Sequence, residues 1–271
     1  MPQRSALTRL SFLLEELGTV WSMTKGNVSL SLGQAAPAGV EYSADYEPIH
    51  TPLQVREGLA LIRISGLLLK TVPIWSRQRG LAATSYAWLR DQFEQAIEDR
   101  GVREISLRIS SPGGSVAGVA PAVEVLYALR CRKPVMAIIE DMCTGAAFWL
   151  ASQASRIVAV DRNVMVGGIG CFVSFPDFSE QFKKQEIVTH VIASGSEKGM
   201  GVFGAPITEE QRAGWQGLVD ADTDNFVAAV ARGRQLTVQQ VKPMADGKTW
   251  NAATAQALGL IDSIQSLPDT V

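Results

Sequence analysis

Four short apolar runs, 59–64, 105–109, 135–139 and 156–160, are spaced along this chain with helical patterns between them, and that alternation constrains the fold more than any other feature. Runs of four to six residues rich in Ile, Val and Leu and closed by Gly, Ser or Pro predict buried strands. Between the first two, Thr84 or Ser85 caps a helix through about Asp99, with Trp88, Leu89, Phe93, Ala96 and Ile97 on one face. A second helix is expected from Ser115 to about Arg130 and a third from about Thr144. Strands that alternate with helices of this length predict an α/β fold of β-α-β units around a mostly parallel sheet.

The pattern continues with a Gly-rich stretch at 166–170, a helix near Phe178 to Lys184 and a strand from Val188 to Ile192. A long helix follows from Thr208 to Arg234, with Thr208 as N-cap and Glu209 and Glu210 in its first turn. A short Ala-rich helix is then expected to end at Gly259 as its C-cap. Ahead of Gly58 the organisation differs. Residues 5–24 carry apolar positions at helical spacing, and 26–52 are rich in Gly, Pro, Ala and Ser, so residues 1–55 read as an amphipathic helix and a loose arm, and 56–271 as the folded domain.

The chain has 271 residues, 46% of them hydrophobic and 19% charged, enough for a sizeable core. A formal net charge of −2 gives no electrostatic reason to expect nucleic acid as a partner. Arg4, Arg9, Glu15 and Glu16 interrupt the N-terminal apolar residues, leaving neither a membrane span nor a signal-peptide layout. Cys131, Cys143 and Cys171 fit neither a disulfide framework nor a zinc site and point to a reducing, cytoplasmic setting. The two histidines, His50 and His190, do not suit a Ser-His-Asp arrangement, and no metal-ligand spacing, P-loop or dinucleotide fingerprint is present, so no cofactor is expected.

Two segments could carry chemistry. Ser111-Pro112-Gly113-Gly114-Ser115 stands between a strand and a helix, where paired glycines let backbone approach a bound carbonyl and N–H groups face a developing oxyanion. Ser110, Ser111 and Ser115 read as turn and cap residues. The segment Lys133-Pro134-Val135-Met136-Ala137, continuing through Asp141-Met142-Cys143-Thr144-Gly145-Ala146-Ala147-Phe148-Trp149-Leu150-Ala151-Ser152, runs from a strand into a helix.

The second segment resembles the nucleophile strand and helix of the signal peptide peptidase A family of serine peptidases, in particular the branch that phages use to process proheads. That family reads roughly K-P-V-x-A, then D-x-A-A-S-A-A-Y-W-L-A-S, and its serine falls on Gly145 here. Gly195-Ser196-Glu197-Lys198 matches the family's G-x-x-K, Gly167-Gly168-Ile169-Gly170 its V-G-S-I-G turn, and Trp250, Ala255, Gly259, Leu260, Ile261 and Asp262 its terminal motif. The likeness spans about residues 58–264.

The resemblance implies a Clp protease/crotonase-like fold, an oxyanion hole from Gly113, Gly114 and Ala146, and Lys198 as general base. A lysine base needs a pKa lowered by burial, so Lys198 is expected in a confined pocket facing Gly145. It also implies a homo-oligomer acting on extended polypeptide from a capsid or scaffold. Glycine offers no nucleophile, so three readings stay open: a member that has lost peptide-bond cleavage, an active endopeptidase using Thr144 (or Cys143) with Lys198, or a Ser-Lys protease whose serine was replaced by design. The Lys198 match argues against a fourth, an acyl-coenzyme A enzyme of the crotonase type.

Overall fold

The computed structural model describes residues 21–23, 53–72 and 82–265. In chain order the elements are β1 (Trp21–Met23), β2 (Gln54–Arg56), β3 (Leu59–Leu69), β4 (Ala83–Ser85), α1 (Tyr86–Glu98), β5 (Glu104–Ser115), α2 (Val119–Arg130), β6 (Val135–Thr144), α3 (Ala146–Ala151), β7 (Arg156–Ala159), β8 (Met165–Gly167), α4 (Ser179–Lys184), α5 (Glu209–Arg234), α6 (Val238–Val241), β9 (Thr249–Asn251), α7 (Ala252–Ala257) and β10 (Ser263–Ile264). The strands form one sheet in the order β10-β7-β6-β5-β3-β2. From β10 to β3 every neighbouring pair is parallel, as the alternation of strands and helices predicts.

The period-2 geometry of a strand sends alternate side chains to one face. Ala60, Ile62 and Ile64 of β3, Ile105, Leu107 and Ile109 of β5, and Val135, Ala137 and Ile139 of β6 are accordingly buried in one core with Leu89 and Phe93 of α1 and Leu126 and Leu129 of α2. Helix α1 starts at Ser85, whose hydroxyl accepts from the Trp88 N–H at 3.2 Å; Thr84 instead bonds the Ser65 backbone. Helix α5 starts with a full capping box between Thr208 and Gln211, and apart from Gln211 its buried residues, including Phe226, Val227 and Val230, lie in its second half. Gly259 takes a φ of 76° just past α7, the left-handed position that a helix end favours.

Four expectations need correction. Ser111 to Ser115 is not a turn: β5 continues extended to Ser115, and α2 begins only at Val119, capped by Gly118 at φ 93°. The backbone there finds partners on β3, which pairs Leu67 with Gly113 and Leu68 with Gly114, so extension satisfies its hydrogen bonds. Strand 188–192 is absent, and Val188 and Ile192 are 70% and 99% exposed, pairing with no strand among the described residues. The helix expected over about 5–24 lies outside the described residues except near its end, where Trp21–Met23 is strand rather than helix and pairs antiparallel with β5. The folded part also starts before Gly58, because β2 pairs with β3.

Candidate active site

The chain turns sharply between β6 and α3, and Gly145 is the single residue of that turn, at φ 55° and ψ −130°. A side chain is strained in this conformation and glycine is not. Each backbone group of the turn is held. The Gly145 N–H donates to the Gly167 carbonyl at 2.9 Å, and the Gly145 carbonyl accepts from the Trp149 N–H at 2.9 Å, opening the helix. The Gly167–Gly168 pair allows β8 to close on the elbow: a Cβ on Gly168 would lie 3.1 Å from the Gly145 nitrogen, and one on Gly167 would lie 2.5 Å from the Trp250 ring. Behind it the Gly168 N–H donates to the Lys248 carbonyl at 2.7 Å. The sequence singles out Gly167, Gly168 and Trp250 separately, and only the structure brings them together as one support.

The end of β5 runs beside this elbow. Strand β6 pairs with β5 as far as Ser111 opposite Cys143 and then leaves for the turn. The Thr144 hydroxyl crosses the gap and donates to the Pro112 carbonyl at 3.0 Å. The Ser111 hydroxyl accepts from the Gly113 N–H at 3.2 Å and donates to the Gly66 carbonyl at 2.7 Å, tying the glycine segment to β3. Gly113, Gly114, Gly145 and Ala146 are all buried. The structure thus gathers the glycine pair, the elbow and the start of α3 on one edge.

Gly114 is required by space. A Cβ there would stand 1.9 Å from the Leu68 carbonyl oxygen, against backbone that cannot swing aside. Gly114→Ala is expected to lower the unfolding free energy by about 1–3 kcal/mol through overpacking. Urea denaturation with an unchanged m-value would register it, and a midpoint equal to that of the parent would show that the strand accommodates the methyl.

The two other candidate nucleophiles are both enclosed. Thr144 has no exposed surface and its hydroxyl is engaged with Pro112. Cys143 is also fully buried, and desolvation pushes its thiol well above its ordinary range, away from the reactive thiolate.

Lys198 differs from its expectation. It is exposed, in a turn whose Lys198 N–H donates to the Gly195 carbonyl at 3.1 Å, rather than in a confined pocket. That turn docks on the start of α5, where the Ser196 hydroxyl meets Glu210 at 2.8 Å and Gln211 donates to the Ser196 carbonyl at 2.9 Å. The elbow helix docks further along α5, Trp149 stacking on Phe226 with centroids 4.6 Å apart. Gln211 and Phe226 are about 22 Å apart along the axis at 1.5 Å per residue. The physical reason is the missing strand 188–192: without a sheet partner, the segment that carries Lys198 stays outside the core.

A mostly parallel sheet with a tight, glycine-turned strand-to-helix elbow beside a glycine-bearing strand defines the class, an α/β protein of β-α-β units. The chain belongs to peptidase family S49, whose family model matches residues 128–271. It is 30% identical over 178 residues to Protease 4 of Haemophilus influenzae, covering 65% of this chain and 29% of that protein. It is 29% identical over 218 residues to Capsid assembly protease C of Escherichia phage lambda, covering 80% and 49%. Head-tail preconnector protein GP5 of Enterobacteria phage P21 is 28% identical over 231 residues, covering 85% and 45%. The chain therefore spans less than half the length of each of these relatives. Among solved structures, the ClpP protease catalytic domain from Plasmodium falciparum is similar at a TM-score of 0.45 and 13% identity, covering 78% of this chain and 88% of that one. Among the described residues, no helix is long and apolar enough to cross a membrane.

Proposed function

We propose that this chain is an S49 peptidase-fold protein whose nucleophile position is vacant, and that it receives extended polypeptide beside Gly145 without cleaving it. The observation that carries the reading is Gly145 itself, at φ 55° and ψ −130° on the elbow, the position to which the motif resemblance assigns the family's serine. In enzymes whose catalytic groups act as a unit, loss of the nucleophile costs about a millionfold in turnover. The burial of Thr144 and Cys143 favours this reading over a substitute nucleophile. Gly113, Gly114 and Ala146 would then be a retained oxyanion site, and Lys198 a retained general-base position.

The names of the two phage relatives favour a role in capsid assembly, with capsid or scaffold polypeptide as the ligand, in the host cytoplasm. Homo-oligomerisation belongs to the same proposal. Ile187, Val191, Ile192, Val202 and Phe203 are exposed around the Lys198 turn, and a second copy covering them would give Lys198 the confined surroundings that a base requires. In this arrangement the peptidase-fold domain takes in β2 as well, so the boundary expected at 55/56 moves ahead of Gln54.

The protein as it stands is expected to give no cleavage of casein or of unstructured peptides and no labelling by a fluorophosphonate. Cleavage that vanishes in Thr144→Ala would overturn the proposal, because it would make the threonine the working nucleophile.

A further inference from the structure

We infer that Trp21–Met23 is a built-in occupant of the edge that receives polypeptide, a strand of the chain's own that an incoming segment must displace. The inference rests on the reading of the site as a receiver of polypeptide.

The first half of β5 is paired on both sides, with β3 on one and β6 on the other. Past Ser111 the β6 side falls open, because β6 leaves for the Gly145 elbow, while β3 still holds Leu67 and Leu68 against Gly113 and Gly114. An edge of this kind presents N–H and C=O groups to any extended backbone, and strand addition uses them without regard to sequence. The structure fills it from within. Strand β1 runs antiparallel along it, Trp21 opposite Ser115, Ser22 opposite Gly114 and Met23 opposite Gly113, and it also lies against α3, the helix that follows Gly145. The burial of Gly113, Gly114 and Gly145 accords with a site that is covered in this state.

The cover is built to come off. It is three residues long, and a strand of that length holds few backbone bonds, so it belongs to the low-free-energy end of local opening. Its pairing with β5 is through backbone, and a polypeptide of another chain that adds to the same edge makes equivalent bonds. Cis occupancy therefore weakens the apparent affinity for an outside segment by the fraction of time the edge is free.

The test uses the full chain carrying Ser22→Pro together with Met23→Pro. N–H groups of adjacent strand residues point to opposite sides, so two successive prolines remove a ladder bond to β5 whatever the phase of the pairing. Two quantities are read: amide hydrogen exchange at Gly113, Gly114 and Ser115, and binding of a fluorescein-labelled peptide copying residues 17–27. Protection of Leu107, in the part of β5 paired on both sides, reports that the domain remains folded. Exchange is expected to speed up at whichever of Gly114 and Ser115 turns its N–H to β1, the Gly113 N–H being held by the Ser111 hydroxyl, and the peptide to bind at least about tenfold more tightly than to the parent chain. Unchanged exchange and unchanged peptide affinity would overturn the inference. Faster exchange with no peptide bound by either protein would keep the cis strand as the cover of this edge and remove the polypeptide-receiver reading, so the two fail in different ways.

Discussion

Gly145→Ser is expected to turn a protein that a fluorophosphonate leaves unmarked into one that it labels and that cleaves peptides slowly. The serine would stand on the elbow between β6 and α3, on the edge that also carries Gly113, Gly114 and the first residue of the helix, the groups proposed as oxyanion donors. The gain has a cost in stability. A side chain at φ 55° and ψ −130° is strained by about 1–3 kcal/mol, so the variant should melt a few degrees to about 10 °C below the parent. Reactivity and stability thus move in opposite directions from one substitution. If the Lys198 turn closes on the elbow in the assembled protein, adding Lys198→Ala removes most of the labelling without restoring the lost stability, because Lys198 is exposed and lies outside the strained turn. Labelling that is indifferent to Lys198 would remove that lysine from the reaction. A Gly145→Ser protein that is neither labelled nor destabilised would show that the elbow is not as described.

Phe226→Ala should have the largest effect on folding, lowering the unfolding free energy by about 3–5 kcal/mol. Its ring is fully buried and lies parallel to that of Trp149, at an interplanar angle of 4°. The same stretch of α5 is sealed to the elbow helix by backbone contact. A Cβ on Gly233 would sit 2.1 Å from the Ser152 carbonyl, the Gln153 amide donates to the Ala229 carbonyl at 3.0 Å, and Arg130 donates to the Gly233 carbonyl at 2.9 Å. Because these neighbours cannot collapse into the space, the cavity left by the ring would persist. Gln216→Ala, on the exposed first half of α5, should change stability by less than about 0.5 kcal/mol. Equal losses from the two substitutions, measured by urea denaturation, would mean that α5 docks along its whole length.

The sheet was legible wherever burial alone decides the element. The cores of β3, β5, β6 and β7 are apolar runs, and α5 is marked by Thr208, Glu209 and Glu210 at its start. The ends of these elements were not legible, because they depend on partners far away in sequence. Ser111-Pro112-Gly113-Gly114 carries turn composition, yet it is strand because Leu67 and Leu68 stand beside it. The run Val188 to Ile192 carries strand composition, yet it is exposed because no strand among the described residues pairs with it. Trp21–Met23 carries helical spacing, yet it is strand because an open edge of β5 takes its backbone. At the site, Gly145 could be placed from the residues on either side of it. The exposure of Lys198 could not, since a motif match fixes position along the chain and says nothing of what covers a side chain.

The support behind the elbow also has a consequence in time. Gly145 leans on Gly167, and the Gly167–Gly168 strand is paired in turn by Thr249, Trp250 and Asn251. A ribosome emits these pieces a hundred residues apart, so the strands of the central sheet can assemble on a nascent chain while the elbow still lacks its backing. The turn gains its backing only when residues 248–251 have emerged, after β3, β5, β6 and β7 of the central sheet are already outside the ribosome.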